Sequence, residues 1–381
     1  MEASEEHISA VNANFFFKEF SFSKNKFQPP STKEELELAD NFVWMDDFLF
    51  IFQIKGRNEK ATGSVEKWYK KKVRDVAVGQ IKNSLEYLNS FEQIKVQNEK
   101  GHEFDVSEAR NISPTKVIIY SADLPDSIRF QKFHESSRAG LIHLLHLEDY
   151  LWICKYLVTP SEIHEYLKFR ESFYLAQKIS LNSLPEQYVL GHYFETLETD
   201  HFNASYINNF ARLQDDFESF NISFVIDQFQ DKIIKNPENR DYYQIIKEIA
   251  KLHRAELREF KKRWTLSLEK SKNQEFTIPY RIVSLNTKCG FVFIPFLFEN
   301  KDKWHNALLN YTEAHKYDQK LNKCIGMIVY HNPDQKFWDM NWCLINAPWE
   351  HDTEFEEVLR NNFPFREVRP GTVYKYFMKN D

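Results

Sequence analysis

The sequence predicts an α/β protein: a mixed sheet with flanking helices, then a helical segment, then a second α/β domain. Two observations carry this. Strand-like runs at 40–55, 115–123 and 140–147 bracket one long helical pattern at 64–91, an order that needs a crossover helix and so a partly parallel sheet. From 185 to 275 the pattern is helical, and after 276 strands and helices alternate again. A chain of 381 residues suits two or three domains. We place them at 1–180, 181–275 and 276–381.

Each element has its own signal. Residues 14–27 mix aromatic and polar residues and fit an edge strand. QPPST at 28–32 breaks the chain, and Thr32 is suited to cap a helical turn over 33–39. DNFVWMDDFLFIFQIK at 40–55 reads as a β-hairpin turning at Asp46–Asp47. Val73, Val76, Ala77, Ile81, Leu85 and Leu88 repeat at helical spacing within 64–91. TKVIIYSAD at 115–123 and GLIHLLHL at 140–147 are buried strands. A helix starts at Thr159, with Pro160 at its first position and Glu162 at its third. The clearest apolar stripe of the helical segment runs over 240–268, for which an intramolecular bundle is the expected partner and a coiled-coil dimer the alternative. The last region predicts strands near 277–284, 290–297, 323–331, 337–345 and 372–377, with helices near 303–319 and 353–361.

Composition excludes several classes. Only 9 glycines are present, and neither GxxxxGK[ST] nor GxGxxG occurs, so phosphate-cradling glycine loops are not expected. The four cysteines are scattered without a CxxC pair, which argues against a disulfide framework or zinc cluster and fits a reducing cytoplasm. MEASEEHISA lacks the apolar centre of a signal peptide, and FLFIF is too short to span a membrane. The net charge of −6 conceals one basic stretch: residues 55–82 carry nine basic side chains against three acidic ones, net +6. Arg57, Lys70, Lys71 and Arg74 belong to it and are suited to track a phosphate backbone. Against this stands the ordinary reading of a charge run, a solvated helix face.

The hairpin register brings chemistry together. A turn at Asp46–Asp47 sets Met45 opposite Phe48, Phe42 opposite Ile51 and Asp40 opposite Gln53. Opposed residues share a face, and Lys55, two residues beyond Gln53, points the same way. A carboxylate, an amide oxygen and a backbone carbonyl, here Ile54, can hold a hard cation such as Mg²⁺ or Mn²⁺. A lysine beside them can orient an attacking water and offset charge on a phosphorane. Glu37, one helical turn before Asp40, adds a second carboxylate. The structural alternative has Asp40 as a cap and Lys55 as a polar strand end, but it leaves Gln53 as a polar residue in an apolar strand.

Glu37 and Asp40 in "ELAD", Gln53 and Lys55 in "QIK", and Gln80 in "AVGQIK" resemble the PD-(D/E)XK nuclease superfamily. The likeness is to its Mrr-like members, in which Gln replaces the acidic residue of the third motif. It covers about residues 15–170. The resemblance implies a restriction-endonuclease-like fold for the first domain and a metal-dependent endonuclease activity, with DNA favoured over RNA. It implies Asp40 and Gln53, with Glu37, as metal ligands, Lys55 as the catalytic lysine and a post-motif helix carrying Gln80. Gln80 lies seven residues after Val73, hence on the stripe facing the sheet, and is a candidate nucleic-acid contact. By analogy of fold it also suggests prokaryotic restriction or anti-phage defence, with a second copy or a defence-system protein as partner. Two departures stand out: no proline precedes Asp40, and a neutral Gln53 weakens the cation site. The competing function class is a nuclease-like module that only binds nucleic acid or a protein.

Other candidates are weaker. His143 and His146 have opposite strand parity and read as core or edge histidines. His192 and His315 are isolated. Trp304, Trp338, Trp342 and Trp349 could stack bases, although strand aromatics are more often core.

Overall fold

The computed structural model describes residues 3–29, 33–58, 60–214, 217–232 and 240–366. The proposed cap Thr32 and the strand expected at 372–377 lie outside them. The chain forms two compact units, Met1–Leu213 and Gln214–Asp381. The helical segment expected as its own domain at 181–275 is therefore divided between the two.

In the first unit, helix α1 (Ala3–Phe15) leads into β1 (Ser21–Phe22) and β2 (Lys26–Phe27). Then come β3 (Leu36–Glu37), β4 (Asn41–Met45) and β5 (Phe48–Gly56). A continuous helical stretch comes next: α2 (Val65–Tyr69), a π-helical segment at Lys70–Ala77, and α3 (Val78–Ser90). A small hairpin, β6 (Lys95–Gln97) and β7 (Glu103–Asp105), precedes β8 (Thr115–Ser121). After α4 (Asp126–Arg129) come β9 (Phe133–Ser136) and β10 (Gly140–His146), then α5 (Leu147–Tyr156), α6 (Pro160–Leu181) and α7 (Glu186–Glu195).

The main sheet has the order β1-β4-β5-β8-β10-β9. Its outer pairs are antiparallel, and β5-β8 and β8-β10 are parallel. It is the mixed sheet that a crossover helix requires. One face carries Phe42, Leu49, Ile51, Ile118 and Ile142 against Val73, Ala77, Ile81 and Leu88 of the long helix. The other carries Phe50 and Phe52 against Phe16, just after α1, with ring centroids 5.1 and 6.2 Å apart. Phe52 also meets Tyr150 of α5 at 5.9 Å. The π segment explains a difference from the expected stripe. Its wider turn keeps Tyr69, Val73 and Ala77 in line four residues apart, and Val76 is left 40% exposed.

Residues 33–39 are not a helical turn. Leu36–Glu37 pairs with Lys26–Phe27. Asn25 then holds Leu38 and Ala39 in place. Its carbonyl accepts from Leu38 N–H (3.2 Å) and its side-chain oxygen accepts from Ala39 N–H (3.1 Å). These bonds satisfy the backbone in extended form and bury both residues. Of residues 14–27, the first two belong to α1, and Ser21–Phe22 is the edge strand beside β4. The Thr159 cap is present, accepting from Glu162 N–H at 3.2 Å.

Behind β10 lies a buried ionic cluster. Arg170 of α6 forks onto Glu186 of α7 (2.7 and 3.1 Å), and Lys132 reaches the same carboxylate at 3.0 Å. Arg170 also donates to the carbonyls of Lys132 and Leu144, each at 3.0 Å. His143 is fully buried beside Arg170 and Glu171, and burial pushes its pKa down to about 4. The cluster docks α6 and α7 onto the sheet.

Helix α8 (Asn209–Gln214) ends at the boundary between the units. In the second unit, α9 (Phe217–Phe220) and α10 (Ser223–Lys232) precede α11 (Asp241–Ala250) and α12 (Arg254–Lys272). Strands β11 (Tyr280–Val283), β12 (Cys289–Phe296), β13 (Lys323–Asn332) and β14 (Phe337–Asn346) form a sheet in that order. Helices α13 (Trp304–Asp318) and α14 (Thr353–Asn361) complete it. The 240–268 stripe packs on the sheet as well as on helices: Trp264 meets Phe224 of α10 at 6.0 Å, and Tyr242 meets Phe229 at 6.5 Å. Phe260 packs on Phe291 and Phe293 at 5.6 and 5.0 Å, since that face of β12 is otherwise an uncovered apolar surface. On the opposite face α13 comes so near that a Cβ on Gly326 would collide with Thr312 Oγ1.

Candidate active site

The hairpin register is the one the sequence predicts. Phe42 faces Ile51 and Met45 faces Phe48. The turn places Asp46 at φ 51°, a left-handed conformation that Asp tolerates. Continuing the register past Asn41 and Phe52 sets Asp40 opposite Gln53.

Asp40 Oδ2 accepts from Ile54 N–H at 2.6 Å and from Lys55 Nζ at 2.7 Å. Both side chains are largely buried, 8% exposed for Asp40 and 13% for Lys55, so this ion pair is less screened than a surface one. In extended backbone the N–H and C=O of one residue point to the same edge. The Ile54 carbonyl therefore faces the Asp40 side as well.

Gln53 is 1% exposed. One end of its carboxamide lies 3.0 and 3.1 Å from the two Asp40 oxygens and 3.0 Å from Gln80 Oε1. With nitrogen at that end, all three contacts are hydrogen bonds. With oxygen there, that end faces only acceptor oxygens, an arrangement that a bound cation would stabilise. Two oxygens sharing an octahedral Mg²⁺ at about 2.0–2.1 Å stand about 2.8–3.0 Å apart, so the observed spacing fits such an ion. The donor set fits too: one carboxylate, two amide oxygens and a backbone carbonyl are all hard ligands.

Gln80 lies on the sheet-facing side of the helix, as its spacing from Val73 predicts, and there its carboxamide oxygen meets the Gln53 carboxamide at 3.0 Å, so it is not placed as a nucleic-acid contact. Ser84, one turn further along α3, explains this placement. Its hydroxyl oxygen lies 2.5 Å from Leu38 O and 2.9 Å from Gln80 O, which ties α3 to the segment leading into Asp40. Glu37 reaches the same place from a strand, not from a helical turn. It lines a cavity of about 210 Å³ with Asp40, Gln53, Gln80, Asn83 and Tyr87. Desolvation there, and then the Asp40 charge, raise the Glu37 carboxyl above its usual range. Ser84, Asn83 and Tyr87 were not expected from the sequence. The signal for them was the 80, 83/84, 87 spacing, one helix face.

The basic residues divide. Lys70 and Lys71 are exposed on the π segment. Arg57 instead donates to the carbonyls of Ala61 (3.1 Å) and Gly63 (2.8 Å), closing its own loop. Arg74 donates to His134 Nδ1 and Gln131 Oε1, both at 2.9 Å, and so braces the π segment against β9 and the turn before it.

Comparison with protein-family models, with curated proteins and with solved structures finds no match to this chain. Among the described residues one other group has metal-ligand spacing: Glu198, Asp200 and His201, all exposed on a loop. His201 is already bonded to Asp200 at 2.9 Å, and the buried His192 meets this loop at the Glu198 backbone carbonyl, 2.8 Å away. Among the described residues no helix is long and apolar enough to cross a membrane.

Proposed function

We propose that the first unit is a divalent-metal-dependent phosphodiesterase acting on nucleic acid, DNA in preference to RNA. One observation carries the reading: the register-locked meeting of the Asp40 carboxylate with the Gln53 and Gln80 carboxamides beside the Lys55 ammonium, at the rim of a cavity. Asp40, Gln53, Gln80 and the Ile54 carbonyl would hold Mg²⁺ or Mn²⁺, with Glu37 as an outer carboxylate. When bound, the ion supplies Lewis-acid polarisation of a phosphoryl oxygen and a more acidic water. Asp40 is held for this task by Ile54 N–H, and Gln53 is held by burial in β5. Lys55 orients the attacking water and neutralises charge on the phosphorane. Water adds to phosphorus, the bond to the leaving sugar oxygen breaks, and the water's proton passes through solvent to that oxygen. Exposed Lys70 and Lys71 supply salt-sensitive attraction for the backbone. A prokaryotic restriction or defence role remains an analogy from the family resemblance.

A second reading is favoured by the other orientation of Gln53. With its nitrogen toward Asp40, the carboxylate is satisfied entirely by protein donors, as a non-catalytic binding module would have it.

The test is cleavage of supercoiled plasmid, of single-stranded DNA and of single-stranded RNA in Mg²⁺, Mn²⁺ or EDTA. Metal-dependent cutting that Asp40→Ala abolishes, and that Lys55→Met lowers by about 10²–10³-fold, supports hydrolysis. Cutting that survives both substitutions refutes it.

A further inference from the structure

The cavity beside Asp40 is more than a cation niche. Gln80, Asn83 and Tyr87 succeed one another along one face of α3, so the cavity runs from the Asp40 carboxylate to an aromatic wall. The Tyr87 ring is braced by Phe27 and Phe91, each with its centroid 5.8 Å away, and stays half-buried at the cavity edge. Asn83 is exposed. Among the described residues neither the Asn83 carboxamide nor the Tyr87 hydroxyl has a hydrogen-bond partner. The cavity therefore offers a fixed aromatic ring, an amide with both donor and acceptor capacity, and a hydroxyl, next to the proposed hydrolytic group.

We propose that Asn83 and Tyr87 form a subsite for one unpaired nucleotide, so that the site takes single-stranded nucleic acid or a frayed strand end, not a closed duplex. The proposal rests on the phosphodiesterase reading and names its substrate class. A paired duplex is read by a convex helix or ribbon entering its groove. A concave site does the reverse and must receive a group from the ligand, which a base can offer only when it leaves the stack. At about 210 Å³ the cavity is smaller than the usual small-molecule pocket of about 300–1,000 Å³, a size for a single base or sugar. Aromatic stacking accepts any base, and the Asn83 amide can meet either a donor or an acceptor edge.

The test is binding of the full chain to a labelled 12-nucleotide single strand, as DNA and as RNA, and to the blunt DNA duplex of the same sequence. Fluorescence anisotropy in EDTA keeps cleavage out of the readout. The wild type should bind the single strands more tightly than the duplex. Tyr87→Ala should weaken single-strand binding about tenfold, the loss of one stacked base, with duplex binding unchanged. Because Tyr87 also packs on Phe27, Asn83→Trp serves as the second variant: it fills the cavity from an exposed position and should remove the single-strand preference. The proposal is overturned if the wild type binds duplex equally well or better, or binds neither. It is also overturned if both variants leave single-strand affinity unchanged. If Asp40→Ala abolishes cutting while these binding results fail, the hydrolase reading stands and the subsite falls. If the binding results hold in a protein that never cuts, the subsite stands and hydrolysis falls.

Discussion

Placing a carboxylate at position 53 probes the packing of Asp40 against Gln53 directly. In Gln53→Glu a second acidic group would occupy a position about 99% buried, with an oxygen 3.0–3.1 Å from the Asp40 oxygens. Two like charges with centres about 4 Å apart repel by about 4 kcal/mol at an effective dielectric of about 20. In EDTA at pH 7.5 we expect a loss of that order, lessened by Lys55, which neutralises part of the pair. The sign with pH is fixed. One of the two carboxyls acquires a raised folded-state pKa, so the variant's deficit grows as pH rises through that value and shrinks on acidification. Mg²⁺ should reverse the deficit, because the added charge binds the ion more tightly than the wild-type amide does. The assay is urea unfolding at pH 5 and 7.5, each with EDTA or Mg²⁺. Equal stability of variant and wild type in EDTA would refute the proposed packing of Asp40 against Gln53. A deficit that Mg²⁺ leaves untouched would refute the cation site.

Two further predictions concern the frame. Glu186→Gln leaves the buried Arg170 and Lys132 without their counter-charge and should cost about 3–5 kcal/mol by denaturant unfolding at pH 7. Burial alone would raise the Glu186 carboxyl, but Arg170 and Lys132 hold it below the usual range. Its stabilisation is therefore full above the unfolded value near 4.5 and fades as pH falls below it, so wild type and variant should converge in acid. Gly326→Ala places a methyl group against Thr312 and Leu308 and should destabilise the second unit by about 1–3 kcal/mol, read as a lower unfolding midpoint of that unit.

The hairpin was legible because its two apolar runs and the Asp46–Asp47 turn permit one register, and register fixes faces. The long helix was legible from its apolar spacing, although nothing in KKKVRDVA announced a π segment. Glu37 was misplaced because the residues that hold it extended, Asn25 and Lys26–Phe27, lie about ten positions upstream and give no local signal. Helix α1 was missed since it buries few apolar side chains, Ile8 and Ala13 among them, and uses the buried Asn12 to bond Asn41 at 2.8 Å. The 240–268 stripe was read correctly as needing a partner, but sequence periodicity cannot say whether that partner is a helix, a sheet or both. The ionic cluster of Lys132, Arg170 and Glu186 was invisible for a similar reason: charged residues far apart in the chain look like surface until the fold brings them together.

Mn²⁺ binding followed by electron paramagnetic resonance tests the central claim most directly, since it needs neither substrate nor turnover. The account predicts one saturable site in the wild type, displaced by Mg²⁺ and lost in both Asp40→Ala and Gln53→Leu. Binding that persists in both variants, or that is absent from the wild type, would contradict it.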